Sequence, residues 1–254
     1  MRTPSIGQQR NNLEMYFLAG LATAPGFMDN VRIAMEARLR KEPLRSRLGA
    51  GGTMRSELLY PYGDRSRSPL IQMWEIRADM RLRADRTERS IGGRRALEAI
   101  LGSRPDSGSR VAATLLVGHS GGGVAAVHAA DQLLSRGLSA SCAVVKIGSP
   151  RCRIPQRLRS RVLAIRAQAR ADGRSSGRSP DIVPRLGSYG GWARGRRISW
   201  SRDLHAPGAR LEVPILGKHA DYFRDRAPFL NAEGKSNLDL ILDAIADWLY
   251  RLNR

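Results

Sequence analysis

The run Val111 to Val117 is the most apolar short stretch of the chain, and it breaks off at Gly118-His119-Ser120-Gly121-Gly122-Gly123 before a helical pattern takes over from Val124 to Leu134. A short, mostly apolar run that stops at glycines reads as a strand buried on both faces, the environment of a parallel sheet. The same alternation of apolar run and helical period recurs on either side. Strands are expected at Leu13 to Leu18, Ser56 to Tyr60, Ser141 to Ile147, Val162 to Gln168 and Arg210 to Leu216. Helices are expected at Met28 to Arg40, Leu70 to Met80 following Pro69, Ala96 to Leu101 and Asn237 to Leu252. That order predicts an α/β chain with a mostly parallel central sheet and helices on both faces.

The 254 residues suit one domain spanning the chain, with residues 1–12 as a polar N-terminal tail and residues 171–180 as an Arg/Ser/Gly-rich loop insertion. A hydrophobic fraction of 42% beside 26% charged residues excludes a disordered or fibrous chain. The 43 Lys and Arg against 23 Asp and Glu give a formal charge of +20, which by itself would point to nucleic acid or an anionic membrane surface. Only Lys41, Lys146, Lys218 and Lys235 are lysines, however, and the arginines spread along the whole chain as a uniform bias would place them. No helix-turn-helix, zinc-finger spacing or aromatic-interleaved basic stripe accompanies them, so nucleic acid is the weaker partner. Cys142 and Cys152 form no CxxC and have no histidine at zinc spacing, which removes a disulfide framework and a zinc site. The N-terminus lacks the order of a secretory signal and no run of roughly 18 apolar residues occurs, so a cytoplasmic location is expected.

Ser120 is the candidate nucleophile. In the order strand, Gly118-x-Ser120-x-Gly122, helix, the serine occupies a strained turn whose neighbours must be small, and its hydroxyl stands at the carboxyl edge of the sheet. The following helix aims its amino end at the same point, so the Gly121 N–H can donate to a developing oxyanion. The bland alternative is a glycine-rich turn or phosphate-binding loop, but a P-loop lysine and the G-x-G-x-x-G spacing are both missing. A serine hydroxyl needs a general base, and the base needs an acid to hold its tautomer. His119 and His128 read as packing or helix-surface residues, which leaves His205 and His219 downstream. His219 follows a candidate strand and is the better placed of the two. Candidate acids are Asp172, Asp181 and Asp203; Asp181 opens the apolar segment Asp181-Ile182-Val183-Pro184-Arg185-Leu186, whereas Asp172 lies in the Arg/Gly-rich stretch. A second oxyanion donor is expected from the Ala19-Gly20-Leu21-Ala22 loop, from Leu21 or Ala22.

Four blocks carry a family resemblance: Gly118-His119-Ser120-Gly121-Gly122, Lys146-Ile147-Gly148-Ser149-Pro150-Arg151, Asp181-Ile182-Val183-Pro184-Arg185-Leu186 and His219-Ala220-Asp221-Tyr222-Phe223. In order and placement, over roughly residues 14 to 225, they resemble the lipase class 3 (fungal-lipase-like) group of α/β-hydrolases. The resemblance implies an α/β-hydrolase fold, a Ser120, Asp181 and His219 triad, Gly121 and Leu21 as oxyanion donors, and hydrolysis of a small-molecule ester or lipid, acylglycerols included. It implies no metal or organic cofactor. Two departures stand out: Ala19-Gly20-Leu21 replaces the family's Arg-Gly-Thr or Arg-Gly-Ser, and the Arg/Ser/Gly-rich insertion precedes Asp181. Thioester cleavage or acyl transfer on the same fold is an alternative, as is a non-catalytic basic domain. The Leu70 to Met80 helix, centred on Trp74, occupies the position of a lid in related lipases, although an apolar helical face more often packs in a core. The Tyr189 to Trp200 stretch would line an acyl pocket or form a surface flap. The arginine excess would favour peripheral contact with an anionic membrane surface.

Overall fold

The computed structural model describes residues 10–40, 53–106, 108, 110–168, 181–194 and 198–252. In chain order its elements are β1 (Arg10–Leu18), α1 (Asp29–Arg40), β2 (Met54–Leu59), α2 (Pro69–Met80), α3 (Ile91–Ser103), β3 (Val111–His119), α4 (Gly122–Ser135), β4 (Ser139–Ile147), β5 (Val162–Ala167), β6 (Gly191–Arg194), β7 (Ile198–Ser201), β8 (Ala209–Val213) and α5 (Asn237–Leu252). Six strands form one sheet in the order β2-β1-β3-β4-β5-β8, every neighbouring pair parallel. The short pair β6 and β7 is an antiparallel hairpin outside it.

Side chains of the central strands alternate between two cores, as a pleat of period two requires. Leu13, Met15 and Phe17 of β1 join Leu115 and Val117 of β3 on the face covered by α1 and α5. Tyr16 and Leu18 point the other way and meet Leu116, Val144 and the α3 and α4 residues Leu97, Ile100 and Val127. The sheet is therefore apolar on both sides, and the near-continuous apolar strands in the sequence follow from that burial. From β1 the chain builds outward to β2 and then returns to β1's other side as β3. This reversal leaves a crevice at the carboxyl ends of β1 and β3, where open α/β sheets place their ligand sites.

Several expectations need correction. The polar tail is shorter than twelve residues, because β1 already begins at Arg10 and pairs with Val111. The Ala96 to Leu101 helix starts earlier, at Ile91, where the Ser90 side chain accepts from the Gly93 N–H; Gly92 and Gly93 had masked this turn. The last strand ends at Val213, before Pro214, which has no N–H to donate. The largest correction concerns α2. Its apolar residues do not form a buried face: Leu70 is 72% exposed and Trp74 65%, with Ile71 and Met73 also exposed, while Gln72, Glu75, Ile76 and Asp79 are buried. Trp74 is thus no core residue. The Arg/Ser/Gly-rich insertion at 171–180 lies outside the described residues. No helix among those described is long and apolar enough to cross a membrane.

Candidate active site

The turn from β3 to α4 holds Ser120 at φ 52°, in the left-handed region that a side chain rarely adopts. The glycines on either side allow it. A Cβ at Gly122 would run into the Leu18 carbonyl oxygen, and one at Gly118 into the Gly123 backbone. The strand, turn and helix are packed so closely that only hydrogen fits at both positions. The turn is further fixed by the Ser120 N–H, which donates to the Ile147 carbonyl of β4 at 3.0 Å. Ser120 is half-buried, and Gly121, at the start of α4, is buried.

Asp181 comes from the chain after β5 and His219 from the chain after β8. Asp181 is buried, and its Oδ2 accepts from His219 Nδ1 at 2.9 Å and from the Tyr222 hydroxyl at 2.9 Å. Its Oδ1 accepts from the Val183 N–H at 2.9 Å. Burial alone would raise the Asp181 carboxyl, but hydrogen bonds from His219, Val183 and Tyr222 and the His219 charge hold it below the usual carboxylate range. Because an ionised carboxylate only accepts, the shared proton sits on His219 Nδ1, which leaves Nε2 free as a base. The loop carrying His219 is pinned by Asn237, the first residue of α5. Asn237 Nδ2 donates to the carbonyls of Leu216 and Asp221, and its Oδ1 accepts from the Leu216 N–H.

His119, the residue before Ser120, meets His219. The His119 ring stacks on the His219 ring at 4.8 Å between centroids, and His119 Nε2 donates to the His219 carbonyl at 3.1 Å. Phe27, Tyr222 and Phe223 surround the pair. Burial and the His219 charge push the His119 imidazole down to about 3, so it is neutral at ordinary pH. No hydrogen bond joins Ser120 Oγ to the His219 imidazole in this structure.

The β1 loop closes the crevice from the other side. A Cβ at Gly20 would lie 2.6 Å from Ser120 Cβ and 3.0 Å from the Gly121 nitrogen, which places the Leu21 backbone beside the serine. Among the described residues the N–H groups of Leu21 and Gly121 donate to no protein acceptor, whereas the Ala22 N–H is taken by Gln72 Oε1 at 2.9 Å. Leu21 therefore fits the donor role better than Ala22. Gln72 is wholly buried and its Nε2 also donates to the Asp64 and Arg67 carbonyls, so α2 holds this loop as α5 holds the histidine loop. Ser120, Gly121 and Leu21 line one cavity of about 760 Å³ with the apolar side chains of Met73, Ile76 and Leu186.

The other candidates fall elsewhere. His205 lies against the β6 hairpin with its backbone tied to Tyr189 and Ile154, whereas His219 is bonded to Asp181; none of His205, His219 and Asp181 lines the cavity itself. His128 is buried in α4 with Nδ1 against Ser90 Oγ, a packing residue as expected. Asp203 is exposed and pairs with Arg210 at 2.9 Å. Asp172 lies outside the described residues. The hairpin of β6 and β7 is a surface flap, its Trp192 and Trp200 packed edge to face at 5.4 Å and absent from the cavity wall. Three contributors were not foreseen: His119 as a support for His219, Tyr222 as a donor to Asp181, and Gln72 as the anchor of the β1 loop. Tyr222 stands in the His219 block and His119 beside the nucleophile, so adjacency hinted at both; nothing in the sequence marks Gln72. No group of three or more His, Cys, Asp or Glu among the described residues is placed to hold a metal ion.

Compared with known proteins, the sequence matches no family model. No curated protein matches it either.

Proposed function

We propose that the chain is a serine hydrolase that cleaves carboxylic esters through an acyl-enzyme on Ser120, with His219 as general base and acid and Asp181 as the group that orients it. The observation that carries this reading is the conjunction, at one sheet edge, of a serine held at positive φ with a histidine whose Nδ1 is bonded to a buried carboxylate. Strain at a single non-glycine residue persists only where the surroundings enforce it, and such positions cluster at sites of chemistry.

In the proposed reaction His219 Nε2 takes the Ser120 proton as Oγ attacks the ester carbonyl, and the Asp181 carboxylate stabilises the imidazolium. The Gly121 and Leu21 N–H groups receive the oxyanion, assisted by the amino end of α4. Collapse of the tetrahedral intermediate breaks the bond to the alcohol, which leaves with the proton from His219. Water then enters, gives a proton to His219 and attacks the acyl-enzyme, and Ser120 recovers its proton as the acid departs. Neutral His119 lies under the His219 ring without competing for the proton, and its bond to the His219 carbonyl positions the base.

The test is a panel of an ester, a thioester and an amide with the same octanoyl group, assayed with wild-type protein and Ser120→Ala. The ester should turn over fastest, and Ser120→Ala should lower kcat by at least about a thousandfold. Thioester turnover well above that of the ester would move the reading to thioester chemistry on the same residues. Ester turnover retained by Ser120→Ala would remove it.

A further inference from the structure

We propose that the cavity at Ser120 accepts an amphiphile bearing an anionic group, a carboxylate or a phosphate, at the end remote from the oxyanion donors, and that Arg153, flanked by Arg77 and Arg81, recognises that group. The inference deepens the ester-hydrolase reading and rests on it for the chemistry at Ser120, but not for the binding.

The two sides of α2 differ in how their arginines are matched. On the side away from the cavity, Arg67 and Arg95 both converge on the Glu75 carboxylate. On the cavity side, Arg77, Arg81 and Arg153 line the wall, and neither an aspartate nor a glutamate lines it with them. None of the three forms an ion pair among the described residues. In a chain with a formal charge of +20 an unpaired surface arginine is unremarked in itself. Arg153 is different because it is half-buried and its orientation is fixed. Its Nε donates to the Gly190 carbonyl at 2.7 Å, and its Nη1 donates to the Arg81 and Leu82 carbonyls at 3.1 and 3.4 Å. These bonds engage Nε and Nη1, and among the described residues the two N–H groups of Nη2 have no protein acceptor. A guanidinium fixed in this way offers Nη2 to a carboxylate or phosphate oxygen, and its ordering cost is already met by the fold.

The position along the cavity sets which end of a ligand it meets. Ile76 is the α2 residue nearest the nucleophile turn, since a Cβ at Gly121 would lie 2.5 Å from Ile76 Cδ1. Arg81 is five residues further along, which at the helical rise is about 7.5 Å from Ile76 down the axis. Arg153 bonds to the Arg81 carbonyl and so lies at that same end. Met73 and Ile76 line the nucleophile end, Arg77 follows one residue past Ile76, and Met80 and Leu186 supply apolar wall toward Arg81 and Arg153. A ligand that fits this order has a reacting carbonyl at Ser120, an apolar stretch of several carbons, and a negative charge at its far end.

The experiment compares kcat/KM for 4-nitrophenyl octanoate with that for the mono-4-nitrophenyl ester of octanedioic acid, which has the same chain ending in a carboxylate. An apolar pocket alone would reject the charged end. The wild-type protein should instead favour the octanedioate ester at least tenfold at low salt, with the ratio shrinking as salt is added. Arg153→Gln should lower this ratio, Arg77→Gln and Arg81→Gln added to it should bring it below one, and Arg153→Lys should restore only part of it. A wild-type preference for the neutral ester, or a ratio that the triple variant leaves unmoved, would overturn the inference. Calorimetry on Ser120→Ala with octanoate, octyl phosphate and octanol separates this result from the fate of the hydrolase reading. Tighter binding of the anions than of octanol, lost in the triple variant, supports the inference even if no ester is cleaved, and the two anions distinguish a carboxylate site from a phosphate site. Equal binding of all three would overturn it even if esters are cleaved.

Discussion

Helices α2 and α5 read alike in the sequence, each with an apolar stripe at helical spacing, yet they dock in opposite senses. Helix α5 lays Leu238, Ile241, Ile245, Trp248 and Leu249 onto the sheet and leaves its charges outside. Helix α2 turns Leu70, Ile71, Met73 and Trp74 outward and buries Gln72, Glu75 and Asp79. The polar side chains account for the inversion. Asp79 accepts from the Tyr62 and Ser90 hydroxyls and from the N–H groups of Ile91 and Gly92, where its charge also suits the amino end of α3. Glu75 meets Arg67 and Arg95, and Gln72 satisfies three backbone groups. A helix is seated by the partners its neighbours offer, and here those neighbours offer hydroxyls, guanidiniums and free backbone groups in place of an apolar face.

Both helices also hold a loop of the candidate site by one buried amide, Gln72 for the β1 loop and Asn237 for the histidine loop. The inverted docking of α2 thus leaves its exposed side beside the cavity while its buried side fixes the β1 loop.

The contrast between the helices can be broken at four levels. Asp79→Ala should have the largest effect, about 3–5 kcal/mol of lost stability by chemical denaturation, since it strands two hydroxyls and two backbone N–H groups in the interior. In α5, Ile241→Ala should cost about 2–4 kcal/mol through lost apolar contact and the cavity left behind. Acidification should act on both networks. His128, bonded to Ser90 beside Asp79, is pushed down by burial to about 4, and His119 to about 3. Both values lie below the unfolded imidazole near 6.5, so the unfolded chain binds the extra protons and stability is lost as pH falls from about 6.5 toward 3. The loss should approach about 1.4 kcal/mol per pH unit for each imidazole, and His128→Gln should flatten the slope measured by denaturation at several pH values. Trp74→Ser should be the smallest change, within about 0.5 kcal/mol, because the indole is exposed; a loss like that of Ile241→Ala would mean that α2 packs by its apolar side after all.

The sheet was legible because its central strands are buried on both faces and several strands stop at glycine or proline, a pattern that leaves few other folds open. The serine turn was legible for the same steric reason, with Gly118 and Gly122 required by the close approach of strand and helix. Asp181 and His219 could be ranked but not chosen by spacing alone, since the bond between them spans 38 residues and depends on how two loops fold back. The orientation of α2 was not legible at all. Periodicity reports where the apolar residues lie, and it carries no information on the hydroxyls of Tyr62 and Ser90 or the guanidiniums of Arg67 and Arg95 that meet the opposite side.

The central claim, that Ser120 is an activated nucleophile, is tested most directly by reaction with an alkyl fluorophosphonate followed by peptide mass mapping. One phosphonyl adduct per chain should form on Ser120, be slowed severalfold by His219→Ala, and be absent from Ser120→Ala and from heat-unfolded protein. An adduct on another residue, labelling that survives Ser120→Ala, or a folded protein that takes up no label would contradict it.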